Sequence, residues 1–394
     1  MRVRIPADMV EALINGRVLC DEGLVTDRVV LIEAGRILDV VSPSDPRCGS
    51  AKRRDLNGEM LLPGFIDTQV NGGGGVLFND DPSVPTIRAI AAAHRRFGTT
   101  SLLPTFISDD LDVLAHAIDA VRSAMTGKVP GVIGMHIEGP FLNEARKGTH
   151  DAGKFRALDS DGVRLLSSLG IGRTLVTLAP EMTTPMMIAA LVAEGVVVAA
   201  GHSNATYAET ETALRAGVTG FTHLFNAMSP LASREPGVVG AALLDQNSWC
   251  GIIVDGHHVS PMALQIALRC KRHDRFMLVT DAMPNVGTSQ STFFLQGKKI
   301  IVRDGKCVDG HGTLSGSALD MASAVRNAVT MLGIDIAEAA RMASTYPAEF
   351  LGLGHELGRI APGYRANFVL ADDALNVHDT WIDGLCATLV AAAQ

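Results

Sequence analysis

Four short stretches carry side chains whose types and spacing can do hydrolytic chemistry: HIEGPF at 136–141, AGHSNAT at 200–206, FTHLFNAM at 221–228 and LVTDAMPN at 278–285. Each closes an apolar, β-rich run. They present His136 and Glu138 on one face, then His202, then His223 followed by Asn226, and finally Asp281. A strand-end histidine taken singly reads as a hydrogen-bonded structural residue. The set reads differently, because a carboxylate and two neutral imidazoles are a familiar ligand set for catalytic zinc, with a position left open for water. Glu138, His202 and His223 are the candidate ligands. Asp281, held close but unligated, can take a proton from that water, whose pKa zinc lowers to about 7.

Residues so far apart in sequence meet only if their strands end at one place. Apolar, β-rich runs lie at 61–69, 100–107, 131–138, 174–179, 196–202, 218–224, 250–255 and 276–281, and helix-like segments separate most of them. Eight strands alternating with helices predict a (β/α)8 TIM-like barrel, whose C-terminal strand ends surround one site. An open doubly wound sheet is the alternative, and the count of eight with recurring polar strand ends favours the barrel. Both termini read as short strands with turns, VVLIEAGRILDVV at 29–41 and LGRIAPGYRANFVLADD at 357–373. They predict a small β-sandwich domain built from 1–60 and 357–394, with the barrel over 61–356.

The bulk composition narrows the function classes. The chain has 394 residues, 47% hydrophobic and 19% charged, with a net charge of −8. That is the mix of a compact protein with a large core. It disfavours a nucleic-acid partner, which needs a basic surface. The six cysteines include no C-x-x-C pair, against a disulfide framework or a thiolate zinc site. The start, MRVRIPADMV, lacks the apolar region of a signal peptide, and no stretch is long enough to span a bilayer. A cytoplasmic location with no membrane partner is expected.

One stretch asks for a separate reading. LLPGFIDTQVNGGGG at 61–75 puts Gln69 and Asn71 on one face at a strand end, just before four glycines. The glycines suggest a flexible loop or a close backbone approach. They lack the G-x-G-x-x-G pattern of a dinucleotide site.

HIEGPFLN…KGTHD, GHSNATY, THLFNAMSP, DGHHVSP, VTDAMPNVG and GTLSGSALDM resemble, in order, the motifs of the N-acetylglucosamine-6-phosphate deacetylase family of the amidohydrolase superfamily. The likeness runs from LLPGFIDTQVNGGGG to ASTYPAEFLGL…GRIAPGYRANFVL, nearly the whole chain. It implies one divalent metal ion on Glu138, His202 and His223, with zinc expected and Fe2+, Mn2+ or Co2+ also suited to such ligands. It implies Asp281 as general base and then acid, and His150 as a substrate contact that polarises the carbonyl. Arg234 and His258 match phosphate-contacting positions. Thr149, Asn226, Ala227, Asp255, Leu314, Ser315 and Gly316 are the implied sugar contacts. A homodimer is implied, with Arg234 reaching across the interface. Many amidohydrolases carry His-x-His where this chain has Gln69-Val70-Asn71. An amide oxygen is a poor zinc ligand beside an imidazole, so a one-metal site is expected, with the amides hydrogen-bonding Asp281 or the metal-bound water.

The implied reaction is hydrolysis of N-acetylglucosamine 6-phosphate to glucosamine 6-phosphate and acetate. N-acetylgalactosamine 6-phosphate or another N-acyl sugar phosphate is the alternative within the class. An inactive scaffold on the same fold is the alternative outside it, disfavoured because all four site residues are present. A nicotinamide or flavin enzyme has no fingerprint. The insertion between Asn285 and Gly312 reads as a β-hairpin, either a lid or a support for the LSG run at 314–316.

Overall fold

A computed structural model describes residues 10–388; the stretch 1–9, on which most of the leader reading falls, and 389–394 lie outside the described residues. Eight parallel strands follow one another in chain order around a single sheet: β1 (Phe65–Val70), β2 (Thr99–Ile107), β3 (Gly134–Glu138), β4 (Arg173–Leu178), β5 (Val197–Ala200), β6 (Gly220–Phe221), β7 (Trp249–Ile252) and β8 (Phe276–Leu278). Their residues are almost all buried, as expected of strands covered on both faces. The sheet closes where the chain just beyond β8 returns to β1. Ala282 bridges Val70 in parallel, and the Asp281 N–H donates to the Gln69 carbonyl at 3.0 Å. This is the (β/α)8 barrel expected from the alternation.

The expected helices appear at Val84–Arg95, Leu111–Thr126, Pro185–Ala193, Tyr207–Ala216, Pro261–Cys270 and Met321–Leu332. Tyr207–Ala216 shows why its sequence starts and stops a helix. Thr206 and Glu209 form a reciprocal capping box, and Gly217 ends it at φ +113°. Further helices escaped the sequence reading, among them Ser160–Leu166 and Gly237–Leu244. The second, GVVGAALL, is buried almost all round, so it carries no amphipathic period.

The described chain clusters into two compact units, one from Asp67–Ala93 and Leu102–Asp320, the other from the stretches up to Ile66 and from Met321 on, with His94–Ser101. Within the second unit, four strands lie in the order Arg36–Val41, Val29–Glu33, Glu11–Ile14, Lys52–Asp55. Six more lie in the order Leu385–Cys386, Val377–Ile382, Phe368–Ala371, Met60–Pro63, Arg17–Cys20, Gly23–Val25. Leu13, Val30 and Ile32 of the first sheet share one core with Val18, Leu61, Phe368 and Trp381 of the second. This is the expected sandwich from both termini. Val29 and Leu31 face the opposite way, into a smaller cluster with Ala12 and Cys48, as the two-residue period requires. The hairpin at 29–41 turns at Ala34 (φ +48°) and Gly35 (φ +82°), the conformations of a two-residue type I′ loop.

Two details differ from the sequence reading. The run at 61–69 is two strands, since Met60–Pro63 pairs with Arg17–Cys20 and Phe368–Ala371 in the sandwich, and only Phe65–Val70 enters the barrel. Gly64 sits at the break, where a Cβ would fall 2.0 Å from Thr100 Oγ1. The later barrel strands are also shorter than read, because the ladders stop two or three residues before His202, His223 and Asp281, which adopt left-handed backbone.

Asp67 anchors the closure. It is wholly buried, its Oδ2 accepts from Thr280 Oγ1 at 2.5 Å, and its Oδ1 accepts from the N–H groups of Gln69 and Thr280 at 3.2 and 3.3 Å. Burial, with the Asp281 carboxylate nearby, pushes its pKa from 3.8 to about 7 against those hydrogen bonds. A folded value above the unfolded one means that the folded chain keeps the proton longer. The associated stability is full below about pH 4 and is lost as pH rises through about 7. Asp67→Asn removes this dependence. In denaturant unfolding its stability relative to the wild type should rise by about 2 kcal/mol between about pH 5 and pH 8, and a pH-independent difference would refute the assignment.

Candidate active site

Glu138 is the last residue of β3, while His202 and His223 stand two residues past β5 and β6 and Asp281 three past β8. His202, His223 and Asp281 hold φ of +49°, +36° and +52°. Such conformations cost non-glycine residues about 1–3 kcal/mol each and persist only where surroundings enforce them. Here the neighbouring backbone does so. The His202 carbonyl accepts from Asn143 N–H at 3.0 Å, Leu224 N–H donates to Gly251 at 2.8 Å, and Ser317 N–H donates to Asp281 at 2.8 Å. Left-handed backbone turns each side chain off its strand and into the mouth.

The three candidate ligands converge. His223 Nε2 lies 3.1 Å from Glu138 Oε1 and 3.1 Å from His202 Nε2, and His202 Nε2 lies 3.2 Å from the same carboxylate oxygen. All three residues are at least 95% buried. His202 Nδ1 lies 2.9 Å from the Arg146 carbonyl, which accepts from it. That bond fixes the proton on Nδ1, so a neutral His202 turns the lone pair of Nε2 to the cluster. Two imidazole nitrogens and a carboxylate oxygen crowded so closely need positive charge among them, either imidazole protons shared with Glu138 or a bound cation. The donor set therefore fits a divalent ion, and ligand atoms within 4.8 Å of one another suit a single centre. Burial works against the ionised form of Glu138, yet the hydrogen bonds of His202 and His223 hold its pKa well below the ordinary value.

The two amides serve the carboxylates. Gln69 Nε2 donates to both oxygens of Glu138 at 3.1 and 3.2 Å and lies 3.3 Å from Asp281 Oδ1. Asn71 Nδ2 donates to that Asp281 oxygen at 2.6 Å. Burial first, then the charge of Glu138, push the Asp281 pKa up to about 6, against the pull of His223, His258 and the Asn71 hydrogen bond. A carboxylate so tuned can accept and return a proton near neutral pH.

A cavity of about 330 Å³ opens over this cluster. Glu138, His202, His223, Asp281 and Asn71 line its floor, and Thr149, His150, Asn226, Ala227, His258, Leu314 and Gly316 line its walls. Gln69 lies beneath, 2% exposed. Three expected contacts do not line it. Asp255 spends its carboxylate on the His258 ring at 2.6 Å and on the N–H groups of His257 and His258, so it is engaged by His258 rather than by the cavity. Ser315 is fully buried. Arg234 lies on the exposed 231–235 loop. The sequence reading missed the apolar lining of Ile107, Ile253 and Met283, which no polar motif marks.

The insertion is a four-stranded antiparallel sheet, Thr292–Leu295, Lys298–Arg303, Lys306–Val308 and Leu314–Ser317. The last strand carries the LSG run and bonds to Asp281 and Met283. The glycines after Asn71 make a close approach, since a Cβ on Gly72 would fall 2.6 Å from the Val76 carbonyl.

A closed parallel barrel with carboxylate and imidazole ligands at its strand ends defines a metal-dependent hydrolase. The chain belongs to the amidohydrolase family, which matches residues 60–386. It is 48% identical over 331 residues to the N-acetylgalactosamine-6-phosphate deacetylase of Shewanella sp. (strain ANA-3), covering 84% of this chain and 83% of that one. The crystal structure of N-acetylglucosamine-6-phosphate deacetylase from Pasteurella multocida superposes with a TM-score of 0.92 at 36% identity, covering 96% and 99% of the two chains. A mutant of the Mycobacterium smegmatis N-acetyl-D-glucosamine-6-phosphate deacetylase, in complex with N-acetyl-D-glucosamine 6-phosphate, superposes at 0.88 with 32% identity, covering 96% and 98%.

If one cation sits on these three residues, Glu138→Gln removes its only anionic ligand. Elemental analysis of the purified variant should show bound metal falling from about one ion per chain by tenfold or more, and full retention would displace the site.

Proposed function

We propose that the chain removes the acetyl group from an N-acetylhexosamine 6-phosphate, with N-acetylglucosamine 6-phosphate giving glucosamine 6-phosphate and acetate. The observation that carries this is the buried Glu138–His202–His223 cluster with Asp281 held beside it by two amides. A divalent ion held by Glu138, His202 and His223, zinc by preference, supplies a Lewis acid that acidifies water and polarises an amide carbonyl. Asp281 takes a proton from the attacking water as the C–O bond forms. It returns that proton to the amide nitrogen as the C–N bond breaks, releasing acetate and the free amine. His150, 4% exposed on the cavity wall, donates to the carbonyl oxygen as negative charge builds there. Gln69 and Asn71 hold both carboxylates in place throughout.

His258 binds the phosphate with a ring fixed by Asp255, and Arg234, exposed on its own protomer, reaches the phosphate of a neighbouring subunit in a homodimer. A guanidinium suits that task through its paired donors. A sugar-phosphate substrate and six free cysteines support a reducing, cytoplasmic setting. Among the described residues no helix is long and apolar enough to cross a membrane.

The galacto sugar is a specific second reading, because the 48%-identical relative bears that name. The two sugars differ in the orientation of one hydroxyl. Acetate release from N-acetylglucosamine 6-phosphate, N-acetylgalactosamine 6-phosphate and unphosphorylated N-acetylglucosamine decides among them. Turnover of a phosphorylated sugar far above the unphosphorylated one is expected, and no release from any metal-loaded sample would refute the reaction. Asp281→Asn should keep metal and substrate binding while kcat falls by about a hundredfold or more, and near-normal turnover would remove Asp281 from proton transfer. Arg234→Ala should raise KM for the phosphorylated sugar by about tenfold, with little change for the unphosphorylated one. Equal effects would remove Arg234 from the phosphate.

A further inference from the structure

Ser108 follows directly after β2 and is 1% exposed. Its Oγ lies 2.8 Å from His150 Nδ1. Space for the hydroxyl exists only because residue 139 is glycine, where a Cβ would fall 2.2 Å from that oxygen. Its backbone is held too, since the Ser108 carbonyl accepts from Gln296 Nε2 of the insertion sheet at 2.9 Å.

A neutral imidazole has one N–H and one lone pair, so whatever occupies one nitrogen decides what the other offers. With Nδ1 engaged by Ser108, Nε2 is the nitrogen left for substrate in the cavity. Two arrangements are conceivable. If Nδ1 carries the proton, the Ser108 oxygen accepts it, and among the described residues the hydroxyl proton has only the Glu138 carbonyl at 3.5 Å, beyond the ordinary O–H···O range. If Nδ1 is bare, the hydroxyl proton lies on the 2.8 Å line and only a lone pair on Ser108 goes unfilled. A buried donor without a partner is the costlier defect. The second arrangement also turns an N–H, not a lone pair, toward a cavity floored by the carboxylates of Glu138 and Asp281.

We propose that Ser108 is a positioning residue that donates its hydroxyl proton to His150 Nδ1, so that the ring presents Nε2–H to the bound acetyl carbonyl. The inference rests on the reading of His150 as the carbonyl's hydrogen-bond donor. Lacking the hydroxyl, the ring is free to place its proton on either nitrogen, and the tautomer with a lone pair at Nε2 repels the developing oxyanion. Substrate binding changes little, because the charge on the oxygen appears only on the way to the transition state.

Long-range proton–nitrogen NMR of zinc-loaded protein carrying 15N-histidine tests this, with the His150→Asn variant identifying the His150 signals. The wild type should show the Nε2-protonated pattern, and Ser108→Ala should show a mixture of tautomers. Ser108→Ala should also lower kcat by about tenfold with KM and metal content unchanged. An Nδ1-protonated or doubly protonated ring in the wild type overturns the proposal even if the alanine variant fails to fold. So does an alanine variant with wild-type kcat. Wild-type kcat in His150→Asn would instead refute the catalytic reading of His150, while the wild-type spectrum would still decide the tautomer.

Discussion

A carboxylate buried at the mouth of a barrel must be compensated on every lone pair, and the arrangement of this site follows from how Glu138 meets that demand. One of its oxygens faces both imidazoles, and both oxygens receive the Gln69 amide. The imidazoles reach it only because His202 and His223 leave their strands in left-handed conformations. Asn143 fastens one of these turns and Gly251 steadies the next residue after the other. Burial alone would favour the protonated acid. Its partners reverse that, so Glu138 stays an anion where an anion is needed to hold a cation.

The same logic explains why amides at positions 69 and 71 suit a one-metal site. Imidazoles there would add ligands for a second cation beside Asp281. Amides instead present N–H groups, which satisfy carboxylates without adding charge. Asp281 is thus held by donors while keeping a pKa near 6. A second bivalent cation on that carboxylate would drive its pKa down and spoil it as a proton carrier. Amides at 69 and 71 therefore suit the proposed role of Asp281 as a base.

Much of this was legible in the residues. The ligands and Asp281 each stand at the end of a readable apolar run, and the alternation of runs and helices was enough to predict a closed barrel. What escaped reading has physical causes. Met60–Pro63 and Phe65–Val70 form one apolar stretch, and only the lack of room for a side chain at Gly64 separates them. Gly237–Leu244 is apolar on all sides, so periodicity has nothing to report. Asp255 was an implied sugar contact through the resemblance of its DGHHVSP motif; its pairing with a histidine three residues on depends on a loop conformation that no pattern encodes. Ser108 drew no attention because a lone serine after a strand is ordinary until the ring of His150, from a distant loop, arrives against it.

The insertion at 286–311 was readable as a hairpin but not as to its use, and its packing decides between lid and support. A lid must leave the mouth cheaply, so it belongs to the weakly packed parts of a fold. This sheet instead buries Phe293, Leu295, Ile300 and Cys307 against Leu77, Ile107 and Met283 of the barrel mouth. Lifting it would expose that whole cluster, at about 25 cal/mol per Å² of apolar surface. Its last strand is also bonded into the backbone of Asp281 and Met283, and Gln296 at its first turn holds Ser108. The sheet braces from one side the backbone of Asp281, the proposed base, and from the other the backbone of Ser108, which lies against His150. Moving it would disturb both at once, which is the behaviour of a support.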